Sequence, residues 1–153
     1  MMLSTKRMEV PMYNIFRIDN VYQGRLKKDE DLYYGLMNEI KNLNIHEGFI
    51  AGIGSVTKAS ITFYNQKEGT YENTHVNEPM EIISLKGNIS LKDDKPFAHI
   101  HITLAKRDFT VIGGHLLPDT PVFAFEYEIF SYAGENANVR KFNEDTKLFL
   151  WSF

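Results

Sequence analysis

The sequence contains no cysteine among its 153 residues. This absence excludes disulfide frameworks, iron–sulfur clusters, zinc ribbons and catalysis by a thiolate. The apolar runs are much shorter than the ~20 residues that span a bilayer. Residues 1–7 also hold no apolar stretch of signal-peptide length. We therefore expect a cytoplasmic protein that does not enter a membrane.

Basic residues are too few for a whole-domain electrostatic grip on nucleic acid. Lys and Arg number 17 against 20 Asp and Glu, a formal net charge of −3. Phosphate neutralisation by basic side chains supplies most of the non-specific affinity for DNA. Residues 1–28 differ from the rest, because six basic side chains there stand against two acidic ones. The sequence thus allows a small basic patch near the N-terminus but does not indicate a basic groove.

Composition and length are those of one globular domain. Hydrophobic residues make up 43% of the chain and charged residues 24%, an ordinary balance for a single domain. We expect a flexible arm over residues 1–10 and one domain over residues 11–153. A chain of this length buries enough surface to fold without a metal, so any metal site would serve function rather than folding.

Periodicity predicts one helix and a series of strands. Leu32, Leu36 and Ile40 recur at helical spacing. Three carboxylates precede them at residues 29–31, where they suit the positive end of a helix. Short connections favour antiparallel strand pairing, and Gly24 is expected to break the chain after the first strand. The predicted fold class is α+β, a mainly antiparallel sheet with one main helix packed on it. The predicted strands cover residues 13–19, 48–55, 59–64, 81–91, 98–107, 110–112, 122–132 and 147–151.

The most informative segment is a predicted strand that carries two histidines. Side chains alternate between the faces of a strand, so His99, His101 and Thr103 share one face. Two imidazoles two residues apart can bind one cation. We interpret Gly113-Gly114 as a hairpin turn that brings His115 close to His99. Three neutral imidazoles with an open fourth position suit Zn²⁺ or another late first-row divalent ion.

Glu126 is a candidate carboxylate near these histidines, as an acceptor for a ring N–H or as a general base. In the plainer alternative, the histidines only hydrogen-bond to backbone or carboxylates, or line a subunit interface. No nucleophile or second acid–base group accompanies them, so we expect a non-enzymatic role. A metal-dependent lyase or hydrolase is a further alternative, in which Glu126 would move the proton. His46, after the helix, and His75, in a predicted polar loop, fit a site less well.

Four segments occur in an order that resembles a known family. They are EIISLKGNIS at 81–90, AHIHITL at 98–104, VIGGHL at 111–116 and FEYEI at 125–129. With Arg17, the helix from Asp29 and the glycine turn GIGS at 52–55, they resemble the plants-and-prokaryotes conserved (PPC) domain over about residues 11–132. The resemblance implies a largely antiparallel domain that assembles as a homotrimer. It also implies a metal ion at the family's histidine positions, which are His99, His101 and His115 here.

Bacterial members of that family are commonly labelled putative DNA-binding proteins. Plant members join the domain to an AT-hook, which this sequence does not contain, and their partnering segment is represented here by EPMEII at 78–83. A trimer would also bury the aromatic segment at 149–153.

We therefore expect a homotrimeric PPC-like domain with a three-histidine site for Zn²⁺ or another divalent metal, or for a small ligand. Glu126, Arg17 and Thr103 are expected beside the histidines or the ligand. The main alternative is a DNA-binding regulator that uses the basic N-terminal region.

Overall fold

The computed structural model describes residues 10–153. Ten strands and one helix lie in this range, which confirms the predicted α+β class. The predicted arm over residues 1–10 lies outside the described residues except for Val10, and so do the basic residues Lys6 and Arg7. No helix in the described range is long and apolar enough to cross a membrane.

The strands form a single sheet. In chain order the elements are β1 (Arg17–Leu26), α1 (Leu32–Asn42), β2 (Gly48–Val56), β3 (Ala59–Asn65), β4 (Thr70–Val76), β5 (Met80–Lys92), β6 (Lys95–Ala105), β7 (Val111–Leu116), β8 (Val122–Ala133), β9 (Val139–Asn143) and β10 (Leu148–Ser152). The main path of the sheet runs β1-β8-β2-β5-β6-β7-β3-β4 with every neighbouring pair antiparallel. β9 joins β5 through one parallel bridge, and β10 pairs with β9.

Helix α1 packs on one face of the sheet and contributes buried residues to the core. Asp31 is its N-cap, since one carboxylate oxygen accepts a hydrogen bond from the backbone N–H of Tyr34 at 2.9 Å. Leu32, Leu36 and Ile40 are fully buried, as their spacing predicted. They join a core cluster to which the sheet contributes Ile50, Leu85, Ile89, Ile100, Leu104 and Ile129.

Two strand predictions at the N-terminal side are wrong. β1 begins at Arg17 rather than Tyr13, and it continues through Gly24 instead of ending there. The glycine is needed because a Cβ at this position would lie 2.5 Å from the hydroxyl oxygen of Tyr127 on β8. Gly24 therefore leaves room for the side chain of Tyr127 against β1.

Strands β4 and β9 were not expected from the sequence. Six of the seven residues of β4 are exposed, so no buried face produces an alternating pattern. The predicted polar loop around His75 is thus an edge strand paired with β3. β9 is only five residues long and offers little periodicity to detect.

Candidate metal centre

Two of the three histidines come from β6. Ile100 and Ile102 point from this strand into the core, with exposures of 1% and 2%. His99 and His101 alternate with them and therefore point to the opposite face, away from the helix. A two-residue turn between β5 and β6, with positive φ at both central residues, places His99 opposite Asn88.

The third histidine lies on β7, where His115 is the direct cross-strand partner of His101. The predicted hairpin turn at Gly113-Gly114 is wrong, because both glycines lie within β7. The chain reverses earlier, over residues 106–110, where the backbone N–H of Lys106 donates to the carbonyl of Thr110. A Cβ on Gly114 would lie 2.9 Å from a carbonyl oxygen of β3, so the glycine lets β7 approach that strand.

The three imidazoles meet in one place. Their ring centroids lie 4.9, 5.0 and 5.6 Å apart. One ligand nitrogen from each of His99, His101 and His115 can be chosen so that all three lie within 4.8 Å of one another. The Nε2 atoms of His99 and His101 are 3.1 Å apart, close to the separation of about 3.3 Å that tetrahedral zinc imposes at Zn–N distances of about 2.0–2.1 Å. The donor set therefore fits a divalent ion that favours nitrogen ligands.

Burial and nearby charges favour the neutral form of two of the three imidazoles. Burial lowers the pKa of His99 to about 4, with further contributions from the charges of His115, Arg140 and His101. Burial also lowers the pKa of His115, followed by the charges of His101 and Arg140. Both rings are therefore neutral at pH 7, and each has a nitrogen lone pair for a metal ion.

The residues expected beside the histidines are distributed differently. Thr103 follows His101 on the same face of β6. Glu126 lies on β8, and β2 and β5 separate that strand from β6, a displacement of roughly 14 Å at about 4.8 Å per strand. Arg17 is at the exposed start of β1, beyond β8 in the sheet. The structure thus places Thr103 on the histidine face of β6, two residues beyond His101 and outside the lining of the cavity described below, and it brings neither Glu126 nor Arg17 to the histidines.

Arg140 is the main site residue that no sequence pattern indicated. It lies on β9, a short strand without a clear pattern, and is only 7% exposed. Its guanidinium donates hydrogen bonds to Ser90 Oγ at 3.0 Å and Asn88 Oδ1 at 2.6 Å on β5, and to the carbonyl of Phe149 on β10 at 3.0 Å. Because Asn88 is the cross-strand partner of His99, these bonds place the guanidinium beside the histidines.

A buried carboxylate anchors the segment that leads into β9. Glu47, 5% exposed, accepts hydrogen bonds from the backbone N–H of Asn138 at 2.6 Å and from its side-chain amide at 3.3 Å. Burial raises the pKa of Glu47, while Asn138 and the charge of Arg140 oppose that shift. These contacts fix the segment before β9 to the loop between α1 and β2, and so help to set the position of Arg140.

The histidines open into a cavity of about 500 Å³. Besides the imidazoles, its wall includes the cationic side chains of Lys92 and Arg140. Aromatic rings make up much of the remainder, contributed by Tyr64, Tyr71, Phe97 and Phe149. No Asp or Glu is among the described residues that line it. The cavity therefore combines a candidate metal centre with positive charge and an aromatic wall.

Comparison with known proteins shows which family the chain is similar to. Residues 13–133 match the model of the Plants and Prokaryotes Conserved (PCC) domain, the family that the motif order predicted. No curated protein sequence matches the chain.

Among solved structures, a metal-containing protein from Archaeoglobus fulgidus has a TM-score of 0.88 and 38% identity, with 94% of this chain and 100% of that chain covered. A plant- and prokaryote-conserved (PPC) protein from Pyrococcus horikoshii has a TM-score of 0.86 and 31% identity, with coverage of 94% and 98%. A putative DNA-binding protein from Bacteroides thetaiotaomicron has a TM-score of 0.81 and 28% identity, with coverage of 92% and 99%.

Proposed function

Because this chain belongs to the Plants and Prokaryotes Conserved (PCC) domain family, we propose that it is a non-enzymatic metal-binding PCC domain. Its His99, His101 and His115 hold one divalent ion, and the domain works as a homotrimer. The ion is zinc or a neighbouring first-row metal, since three imidazoles are a donor set that these ions favour.

One observation carries the metal proposal: three ligand nitrogens from two adjacent strands lie within 4.8 Å of one another. Strand register sets this geometry before any ion binds, so binding requires little rearrangement. A relative with 38% identity is named as a metal-containing protein, which supports the same assignment. Three protein ligands leave a further coordination position for water or for a ligand in the cavity.

Metal analysis of the purified protein tests this proposal. The protein is stripped with chelator, reloaded with Zn²⁺ at pH 7.5, desalted and analysed by plasma mass spectrometry. We expect one zinc per chain in the wild type and a loss of affinity of at least about 100-fold in His99→Ala, His101→Ala and His115→Ala, because even indirect supporting residues contribute 10–100-fold. His46→Ala, an exposed histidine outside the site, is the control. Equal zinc content in all five proteins would refute the site.

The homotrimer is supported by apolar surface that a single chain leaves uncovered. Ile53 and Ile83 line the same surface depression and are 59% and 55% exposed. The aromatic segment at 149–153 also stays partly exposed, with Phe149 at 43% and Trp151 at 37%. Contiguous apolar surface of this kind is typical of association sites. Sedimentation velocity at micromolar concentration should give the mass of three chains, and a stable monomer would refute the trimer.

DNA binding is the second candidate function, because one of the relatives is named as a putative DNA-binding protein. The described part of the basic region includes Arg25, but Glu126 lies directly opposite it on β8. If the domain binds DNA, a random-sequence duplex should be retarded at about 25 mM salt and released near 200 mM, since phosphate contacts weaken steeply with salt. Absence of retardation at the lower salt concentration would remove this candidate.

A further inference from the structure

The environment of Arg140 is unusual for a buried cation. Its three hydrogen-bond acceptors are a hydroxyl, an amide oxygen and a backbone carbonyl, all of them neutral. None of the ion pairs among residues 10–153 includes Arg140. The carboxylate of Glu47 compensates the charge from a distance, but its oxygens accept hydrogen bonds from Asn138. Buried charges are normally paired, so this guanidinium has capacity for an anion.

Further features of the cavity also favour a negatively charged ligand. The ammonium group of Lys92 lies 4.0 Å from the ring centroid of Phe149 and 5.5 Å from that of Phe97. Both cations line the cavity, and no carboxylate from the described residues does. A divalent ion on the histidines would add two more positive charges. With an ion on the histidines, the field in the cavity therefore attracts an anionic ligand.

The aromatic wall indicates that the rest of the ligand is apolar. Phe97, Phe149 and Tyr71 line the cavity, whose volume of about 500 Å³ lies within the range of small-molecule sites. An inorganic anion would leave most of this apolar surface without a contact. An organic anion with an aromatic or aliphatic body would cover it.

We propose that the cavity binds a small organic carboxylate whose anionic group lies between the metal ion and Arg140. The ligand's apolar body packs against Phe97 and Phe149. The ammonium group of Lys92 supplies a second positive side-chain charge for the carboxylate. This inference rests on the proposed metal site, because the carboxylate occupies the coordination position that the three histidines leave open. Arg140 suits this role, since its planar fork can donate two parallel hydrogen bonds to a carboxylate.

Calorimetric titration with benzoate tests the inference. Zinc content is measured first on each protein, so that a failure of the metal site is recognised separately. We expect zinc-loaded wild type to bind benzoate, with affinity at least 10-fold lower for the neutral analogue benzamide and for the zinc-stripped protein. Arg140→Met should reduce benzoate affinity at least 10-fold and Lys92→Met at least 3-fold, while both retain zinc. Lys141→Met, an exposed lysine next to Arg140 on β9, is the matched control and should bind benzoate as wild type does.

Several results would overturn the inference. Benzamide binding as tight as benzoate, equal affinity with and without zinc, or no benzoate binding by a protein that holds one zinc per chain would overturn the inference while leaving the metal site intact. Because Arg140 is buried and Arg140→Met could disturb the fold, Lys92→Met and Arg140→Lys provide independent readings. Arg140→Lys keeps the positive charge but loses the planar guanidinium, so its benzoate affinity should be at least 5-fold lower than that of wild type. Unchanged affinity in both variants would also overturn the inference.

Discussion

His99 is the imidazole whose surroundings change its chemistry most. Burial together with nearby positive charge lowers its pKa to about 4 from the ordinary 6.5. The pKa of His115 is lowered for the same reasons. Proton competition with a metal ion at these two ligands therefore begins at lower pH than for an ordinary imidazole. A site of ordinary imidazoles would weaken below about pH 6.5, whereas here His99 stays neutral well below that value and the pKa of His115 is also lowered.

The metal-free protein should consequently lose stability in acid. In the unfolded chain His99 titrates near 6.5, so between pH 6.5 and 4 the unfolded state binds a proton that the folded state does not. The contribution to stability is present above about pH 6.5 and is lost progressively as pH falls toward 4. An NMR titration of the histidine rings should give a His99 midpoint near 4, and urea unfolding of His99→Gln should show a weaker pH dependence than wild type. A His99 midpoint at or above 6 would contradict this account.

The elements that build the site are two hairpins in sequence, β5–β6 and β6–β7. Each turn sets a register, and together the registers place His99 beside Asn88 and His101 opposite His115. Alternation along β6 was readable from the sequence. The position of the turn before β7 was not, because a glycine pair indicates a turn and a close strand approach equally well.

Gly114→Val should therefore disturb both the fold and the site. A Cβ at this position would lie 2.9 Å from the carbonyl oxygen of Thr62, so β7 would have to move away from β3. We expect a loss of about 1–3 kcal/mol in the free energy of unfolding, a typical cost of overpacking, and weaker zinc binding through the neighbouring His115. Urea denaturation and zinc titration measure these effects. Val111→Ala, an exposed change on the same strand, is the control, and wild-type behaviour of Gly114→Val would contradict the steric argument.

The N-cap of α1 ties the helix to the loop before β8. One oxygen of Asp31 caps Tyr34, and the other accepts backbone N–H groups of Asp119 at 2.8 Å and Thr120 at 3.0 Å. Asp31→Ala should lower the free energy of unfolding by about 1–3 kcal/mol, because a cap contributes ~1 kcal/mol and two loop donors lose their acceptor. In contrast, Asp145→Ala, an exposed carboxylate in the β9–β10 turn, should change it by less than about 0.5 kcal/mol. Equal effects of the two variants in urea denaturation would show that the cap is not needed.

In the whole molecule, the candidate metal centre lies on the face of the sheet opposite the helix. The folded domain brings the three histidines together, and an unfolded chain would not hold them so. Zinc bound at the proposed site should therefore stabilise the native state.

Thermal unfolding measures this linkage. At a free zinc concentration of 100 times the dissociation constant, the stabilisation is about 2.7 kcal/mol, which corresponds to a rise in Tm of roughly 5–10 °C for a domain of this size. His115→Ala should show no such rise, whereas His46→Ala should behave as wild type. A zinc-induced rise that persists in His115→Ala would mean that the ion binds elsewhere.

Local signals in the chain were sufficient for several features. Helical spacing of Leu32, Leu36 and Ile40 identified α1, alternation put His99 and His101 on one face, and motif order identified the family. The first two inferences hold because they depend on residues close together in sequence, where the periods of helix and strand govern which side chains share a face. The family inference rests instead on the order of several short motifs along the chain.

Long-range packing decided the rest. Only the assembled sheet shows that Arg140, on a strand paired with β5 by one bridge, lies beside the histidines and that Glu126 lies three strands away from them. Strand order is a choice among many pairings of similar local energy, and buried contacts far apart in sequence make that choice. The histidine pair could thus be read from the chain, whereas the charge and shape of the cavity around it arise from tertiary structure.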